Sequence, residues 1–377
     1  MKYNILVAVL LVSLLVFAGC TSGNSTTTAP QNTQTDNSPI KLGLLLPLTG
    51  EAASFGESGL AGATLAVKEI NENGGIRGRE LQLVAEDDKC SAEGVNAIQK
   101  LINVDKVVAI VGPVCSGSGG PALPIAQQNG IPVVITSASA PHLTKIGDYI
   151  FRDYPSDSFQ GKAAADFLYN NLGKKKVAVV YVQNDWGQGI KEVFISRFME
   201  LGGEIVYQTG AATTEKDFKT IITKVKESGA DVLYIPLYPA SGVAMVKQVK
   251  EMNLNIPIFG GDSFSGEEFI ASGVTDDVMY MVGKVENPEN FKVKLKTLQG
   301  YENLDANFIA PLTYDGVKIM AEAMRKAGTD KAAIKEALKT TSYQGVSSEL
   351  IEFDENGDLK KVNFEVKVVK NSKEVPF

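Results

Sequence analysis

One pattern constrains this chain more than any other: the same succession of strands, helices and turns is written twice. From Ile40 the sequence predicts a strand over 41–46 and a helix over 56–73 stopped by Gly74 and Gly75. A strand over 80–87, a helix over 91–103, a strand over 106–112 and a helix over 118–129 follow, then a strand over 131–135 that opens Ile131-Pro132. From Lys176 the order returns: strand 176–181, helix 188–201 ended by Gly202 and Gly203, strand 204–208, helix 215–227, strand 230–235, helix 241–252. A strand over 256–259 then opens Ile256-Pro257. The strands are near-continuous apolar runs, as in parallel sheets covered on both faces. The expected fold is therefore α/β, two doubly wound, Rossmann-like lobes of the same topology. The tail predicts helices over 308–327 and 329–340 and strands over 349–353 and 362–369. These complete both lobes, so the chain crosses between them more than once and forms a hinge with a ligand cleft between the lobes.

The N-terminal residues are of another kind. Ile5 to Phe17 are apolar except for Ser13, follow Lys2, and end in Ala18-Gly19-Cys20. Charge, a short apolar stretch and small residues are the order of an export signal. The run is too short for an ordinary membrane span of about 18–20 residues. Cys20 stands where a lipobox cysteine is lipidated, with Phe17 in place of the usual Leu; an uncleaved signal anchor is the alternative. Thr21 to Pro39 is rich in Thr, Ser, Asn and Gln and reads as a flexible tether. Asn24-Ser25-Thr26 fits a glycosylation acceptor. Either way the remainder is expected outside the cytoplasm, tethered to a membrane. With Cys20 set aside, Cys90 and Cys115 remain in an oxidising compartment and are expected to form a disulfide. A loop of about 25 residues would gain roughly 3 kcal/mol from closure. A free catalytic thiol at Cys115 is the rival.

Composition removes several functions. The net charge of −7 disfavours nucleic acid. One histidine and three cysteines exclude multi-His metal sites and Cys₄ clusters, so no metal is expected. Gly117 to Gly120 lacks the G-x-G-x-x-G spacing of a dinucleotide fingerprint, and no cofactor is expected.

Ligands of open parallel sheets bind beyond the carboxyl ends of the strands. In the first series those loops hold Phe55, then Cys115 to Ser118, then Ser137 and Ser139; in the second they hold Trp186, then Tyr238, then Asp262. Cys115 to Ser118 immediately precedes a helix, where free N–H groups suit a carboxylate. Asp262 offers the opposite charge. A small zwitterion satisfies both, with Phe55 and Trp186 lining its side-chain end. Each residue also has a plainer reading: Ser116 as a helix cap, Asp262 as a turn residue, Ser137 and Ser139 as caps of the stretch after Pro141, the aromatics as core edges. His142 is expected to be exposed.

With these residues in place, the chain resembles the leucine/isoleucine/valine-binding proteins, type I periplasmic binding proteins that serve ABC importers. The resemblance rests on the lipobox-like Cys20, the two like lobes, Asp87-Asp88-Lys89-Cys90 with Val114-Cys115-Ser116, and stretches at 71–78, 156–161 and 353–359, and it spans 40 to about 369. It implies that Ser116 binds a ligand carboxylate through its hydroxyl and N–H, that Ser137 offers its carbonyl to the ammonium, and that Ser139 contacts both groups. It implies that Asp262 pairs the ammonium and that Phe55 and Trp186 wall the side chain. The stretch from Pro239 to Asn253 is one residue longer than the family pattern, which leaves Tyr238 or Leu237 to face the ligand. Crossovers are implied near Ser158, Val285 and Glu365. The expected division is 1–19 signal peptide, 20–39 lipidated tether, 40–157 plus 286–364 lobe 1, and 158–285 plus 365–377 lobe 2. The implied partners are a small amino acid, most simply branched-chain, and an ABC transporter permease.

Two other functions use the same residues. A ligand-sensing subunit of a membrane signalling system would need the same cleft. An exported amidase or esterase would use Ser116 or Cys115 as nucleophile, with His142 as its one available imidazole base. No residue pattern marks an acid to orient that base, so a non-enzymatic receptor is the reading.

Overall fold

The structure is a computed structural model and describes residues 37–284, 288–304 and 306–377. The signal peptide, Cys20, most of the tether and the crossover near Val285 lie outside the described residues.

The first series forms β1 (Ile40–Leu46), α1 (Ala53–Glu72), β2 (Leu81–Asp87), α2 (Gly94–Asn103), β3 (Ala109–Val111), α3 (Ser116–Gln128), β4 (Val133–Ile135) and β5 (Ile150–Arg152). α4 (Asp157–Asp166), continued by a π-helical turn at Phe167–Asn171, leads to the second series. That series is β6 (Lys176–Val182), α5 (Asp185–Glu200), β7 (Glu204–Ala211), α6 (Lys219–Ser228), β8 (Val232–Ile235), α7 (Pro239–Glu251) and β9 (Ile258–Gly260). Then come α8 (Glu267–Ile270), β10 (Met279–Gly283), α9 (Pro288–Leu295), α10 (Ile309–Ala327), α11 (Lys331–Lys339), β11 (Phe364–Lys370) and β12 (Lys373–Pro376).

Five strands of the first series form an all-parallel sheet in the order β2-β1-β3-β4-β5. The second sheet runs β12-β11-β10-β9-β8-β6-β7. Its parallel part, read from the far edge, is β7-β6-β8-β9-β10, the same order as the first sheet. Only β11 and β12 are antiparallel. Duplication is thus present in the strand order as well as in the turns. The central strands are buried on both faces, since helices cover each side; Leu42, Leu44, Val111, Val179 and Leu233 are fully inaccessible.

The duplication extends to the close approach of the first helix to its sheet. A Cβ on Gly56 would lie 2.1 Å from the Pro47 carbonyl oxygen, and one on Gly187 would lie 2.0 Å from that of Val182. Glycine at both places lets α1 and α5 start against the strand ends. The residues just before them, Phe55 and Trp186, are thereby carried to corresponding positions.

The tail differs from expectation at two places, and one is the additional strand β12. Residues 349–353 form no strand; Ile351 and Phe353 make isolated bridges to Tyr343 and Leu359. The chain turns immediately afterwards, because the Asp354 carboxylate accepts the N–H groups of Asn356 and Asp358. That turn delivers Asp358 to the fully buried Arg152, at 2.6 Å. α4 is an element that the strand and helix periodicity did not predict.

Gly187→Ala is expected to lower the unfolding free energy by about 1–3 kcal/mol through overpacking. Gly266→Ala should be neutral, since the nearest atom to its Cβ is 4.0 Å away. Urea unfolding of both variants checks this; equal stabilities would refute it.

Candidate functional site

Phe55, Ser116, Ser137, Ser139, Trp186, Tyr238 and Asp262 all line one crevice, together with Val114, Cys115, Ser263 and Phe308. The crevice holds ≈ 340 Å³ of atom-free space, including its mouth. Each sequence-derived residue follows the carboxyl end of a strand, four (Phe55, Ser116, Ser137 and Ser139) in the first sheet and three (Trp186, Tyr238 and Asp262) in the second. The crevice therefore lies between the facing sheet edges.

The loop after β4 has alternating sides. Ala138 and Ala140 point into the core beside Leu143 and Ile150, while Ser137 and Ser139 line the crevice. Arg152 fixes this alternation by donating to the Ala138 and Ala140 carbonyls at 3.1 and 2.9 Å. Its charge is balanced by Asp358, as a fully buried guanidinium requires. The Ala140 N–H donates to Ser116 Oγ at 3.1 Å. Ser116 is the first residue of α3, so its hydroxyl sits beside the helix's N-terminal end.

The opposite wall is aromatic and acidic. Trp186 stacks on Tyr238 with ring centroids 5.2 Å apart. The Asn184 side chain caps α5 by accepting from the Gly187 N–H and donates to the Tyr238 hydroxyl at 3.0 Å. The structure joins Cys90 to Cys115 in a disulfide. A disulfide sulfur carries no proton, so the 3.4 Å contact between Cys90 Sγ and the Tyr238 hydroxyl has the tyrosine as donor. Tyr238 lines the crevice, whereas Leu237 is fully buried and does not. Cys115 has no free thiol. The half-exposed His142 faces Asp185, at 3.7 Å, rather than serving a nucleophile.

Asp262 is buried and accepts the Tyr154 hydroxyl proton at 2.8 Å. Its hydrogen-bond partners are neutral, the Tyr154 hydroxyl and backbone N–H groups, and another acid, Asp157, lies close enough for the two to repel. Burial raises its carboxyl to about 6, against the smaller opposing effect of those hydrogen bonds. Asp157, inaccessible to solvent, accepts the Ser139 hydroxyl proton at 2.9 Å, and burial followed by repulsion from Asp262 raises it well above the carboxylate range.

Two contributors were not legible. Phe308 precedes α10 and meets Phe55 edge-on at 6.1 Å and Tyr154 at 5.6 Å. Tyr154 comes from the turn after β5. Neither belongs to the strand–helix repeat that located the others. Among the described residues there is no cluster of His, Cys, Asp or Glu fit for a metal, and no helix is long and apolar enough to cross a membrane.

Residues 39–371 match the model of the periplasmic binding protein family. A leucine-, isoleucine-, valine-, threonine- and alanine-binding protein of Pseudomonas aeruginosa is 30% identical over 339 residues, covering 87% of this chain and 89% of its own. Among solved structures, a leucine-binding protein of Thermotoga maritima superposes with a TM-score of 0.82 at 28% identity, covering 90% of this chain and 97% of that one. A branched-chain amino acid transporter substrate-binding protein of Streptococcus pneumoniae in complex with isoleucine gives 0.81 at 30% identity, over 89% and 97%.

Because Asp262 is held near 6 from an ordinary 3.8, the folded state binds its proton more tightly than the unfolded chain. The stability this confers is complete below about pH 4 and is lost as pH rises through about 6. Asp262→Asn removes that loss. Without ligand, the variant's unfolding free energy from urea titration should gain on the parent's between pH 4 and pH 8, by an amount on the order of 2–3 kcal/mol. A difference that stays flat across that range would contradict the burial argument.

Proposed function

Given that this chain belongs to the periplasmic binding protein family, we propose that it is the extracytoplasmic receptor of an ABC importer and binds a branched-chain α-amino acid in the crevice between its two sheets. The observation that carries this is the pairing of opposite polarities across the crevice: Ser116 and the start of α3 on one wall, the buried Asp262 on the other. The Ser116 oxygen already accepts the Ala140 N–H, which leaves its own proton to donate to a carboxylate. Asp262 lacks a cation among its partners, and an α-ammonium supplies one. Phe55, Phe308, Trp186 and Tyr238 then enclose the side chain. Burying a leucine-sized group contributes roughly 1.5–3 kcal/mol. The relatives named for leucine, isoleucine and valine, and the one holding isoleucine, support the same ligand class.

Lobe 1 is taken as 40–157 plus 286–364 and lobe 2 as 158–285 plus 365–377. Ligand bridging the lobes favours their closed arrangement, which the permease reads. Cys20 is proposed as the lipidated mature N-terminus that holds the receptor at the membrane. Mass spectrometry of the membrane-extracted protein tests the anchor: a diacylglyceryl addition on Cys20 is expected, and an intact Met1 terminus would overturn it.

Titration calorimetry with L-leucine, L-isoleucine, L-valine, leucinamide and urea tests the ligand on protein lacking residues 1–36. Micromolar or tighter binding of the first three is expected. Asp262→Asn should weaken it at least about tenfold, since an ammonium stripped of its charged partner loses about 2–5 kcal/mol. An ammonium draws Asp262 toward its ionised form. Binding near pH 6 should therefore release protons, and affinity should fall as pH drops below 6. Tight binding of urea or of leucinamide in preference to leucine would refute the assignment.

A further inference from the structure

Ser116 and Ser139 are both crevice-lining serines, and their hydrogen bonds differ in direction. Ser116 Oγ accepts the Ala140 N–H and keeps its proton. Ser139 Oγ gives its only proton to Asp157 Oδ2, at 2.9 Å. Asp157 does not itself line the crevice; it lies behind Ser139, at the first position of α4. A second bond makes the contact a closed pair: the Asp157 N–H donates to the Ser139 carbonyl at 2.9 Å. Resting on the amino-acid reading above, we infer that Asp157 is a positioning residue that fixes Ser139 as a hydrogen-bond acceptor. The crevice then presents one serine that donates, to the carboxylate, and one that accepts, from the ammonium.

The arrangement is over-determined for that task. Ser156 caps α4 by accepting the Ser158 N–H, which sets the helix start and so the aim of the Asp157 side chain. The Ser139 backbone is held between the two carbonyls that Arg152 grips. Asp157 Oδ1 has no hydrogen-bond partner in the protein. The Ser139 contact is made by Oδ2, and a ligand ammonium nearby favours the ionised, acceptor-only carboxylate. A hydroxyl whose proton is committed cannot donate to a ligand carboxylate. Ser139 thus opposes the reversed orientation of a zwitterion, and it disfavours ligands that lack the ammonium.

The test compares L-leucine with 4-methylpentanoate, the same molecule without its amino group, by calorimetry. Asp157→Leu preserves shape and removes the acceptor; Asp157→Asn removes the charge and keeps an acceptor oxygen. The leucine-to-4-methylpentanoate affinity ratio should fall about tenfold or more in the Leu variant, the worth of one hydrogen bond to a charged group. It should stay within about threefold of the parent in the Asn variant. An unchanged ratio in the Leu variant, or equal losses in both, overturns the inference, the second because it would assign the effect to charge at a distance. If circular dichroism shows the Leu variant unfolded, Ser139→Ala and Ser139→Thr replace it: the ratio should fall in the first and hold in the second, and any other pattern overturns the inference. A parent protein that fails to prefer leucine over 4-methylpentanoate sinks the amino-acid reading itself; a parent that prefers it, with an indifferent Asp157→Leu, sinks only the role of Asp157.

Discussion

The site is organised around a buried carboxylate whose hydrogen-bond partners in the protein are neutral. Asp262 accepts from Tyr154 and backbone N–H groups, and desolvation outweighs what they return. A carboxylate in that position is costly unless it is protonated or compensated. Much of the neighbourhood follows from this cost. Tyr154 is buried to donate to it, Phe308 packs against Tyr154, and Phe308 in turn meets Phe55 on the crevice wall. Replacing Asp262 with a neutral residue would relieve the fold and remove the feature that selects a cation. Stability and recognition pull in opposite directions at this one residue.

Duplication is what brings a donor wall and an acid wall face to face. Both sheets share one strand order, so their carboxyl edges carry equivalent loops. The chain fills those loops differently. After the third strand of each lobe stand Ser116 and Tyr238, and after the fourth stand Ser137 and Ser139 on one side and Asp262 on the other. Equivalent backbone with unlike side chains gives a crevice that is symmetric in architecture and polar in charge. A zwitterion has the same character: two ends of opposite sign on a compact frame.

The sequence exposed what the repeat controls and little beyond it. Phe55-Gly56 and Trp186-Gly187 were legible as a matched pair because a glycine forced by backbone contact follows each aromatic. Asp262 was legible because Gly260-Gly261-Asp262-Ser263 directly follows a strand whose partner in the other lobe ends in Thr136-Ser137. Tyr238 was left in competition with Leu237, and backbone direction decided between them. Phe308, which lines the crevice, and Tyr154, which lies behind it against Asp262, carried no spacing signal, since both come from segments outside the strand–helix alternation. α4 was missed for a related reason. Its sequence, from Asp157 to Asp166, mixes Gly161 with three alanines and one large apolar residue, Phe159, which is exposed, so no apolar stripe marks it. Asp157 was hidden with it. The expected strand over 349–353 failed because side-chain hydrogen bonding at Asp354 favours a turn over a continued ladder.

The same carboxylate explains how closure can depend on ligand. The two halves touch on both flanks of the crevice, His142 to Asp185 on one and Glu51 to Lys216 on the other, at 3.7 and 3.9 Å. Both contacts are largely exposed ion pairs, worth at most about 1 kcal/mol each. Contacts inside the crevice, Tyr154 to Asp262 and Tyr238 to Cys90, also join the halves, but none of them supplies a positive charge to the buried Asp262. An apolar ligand would fill the space beside Trp186 and Phe55 and leave that cost in place. A ligand bearing an ammonium removes it, and the removal counts most where water is excluded, which is in the closed arrangement. Differential affinity for closed over open is what a receptor needs to report occupancy. On the proposed reading, that difference arises from desolvating one charge, with the aromatic walls selecting among the molecules that neutralise it.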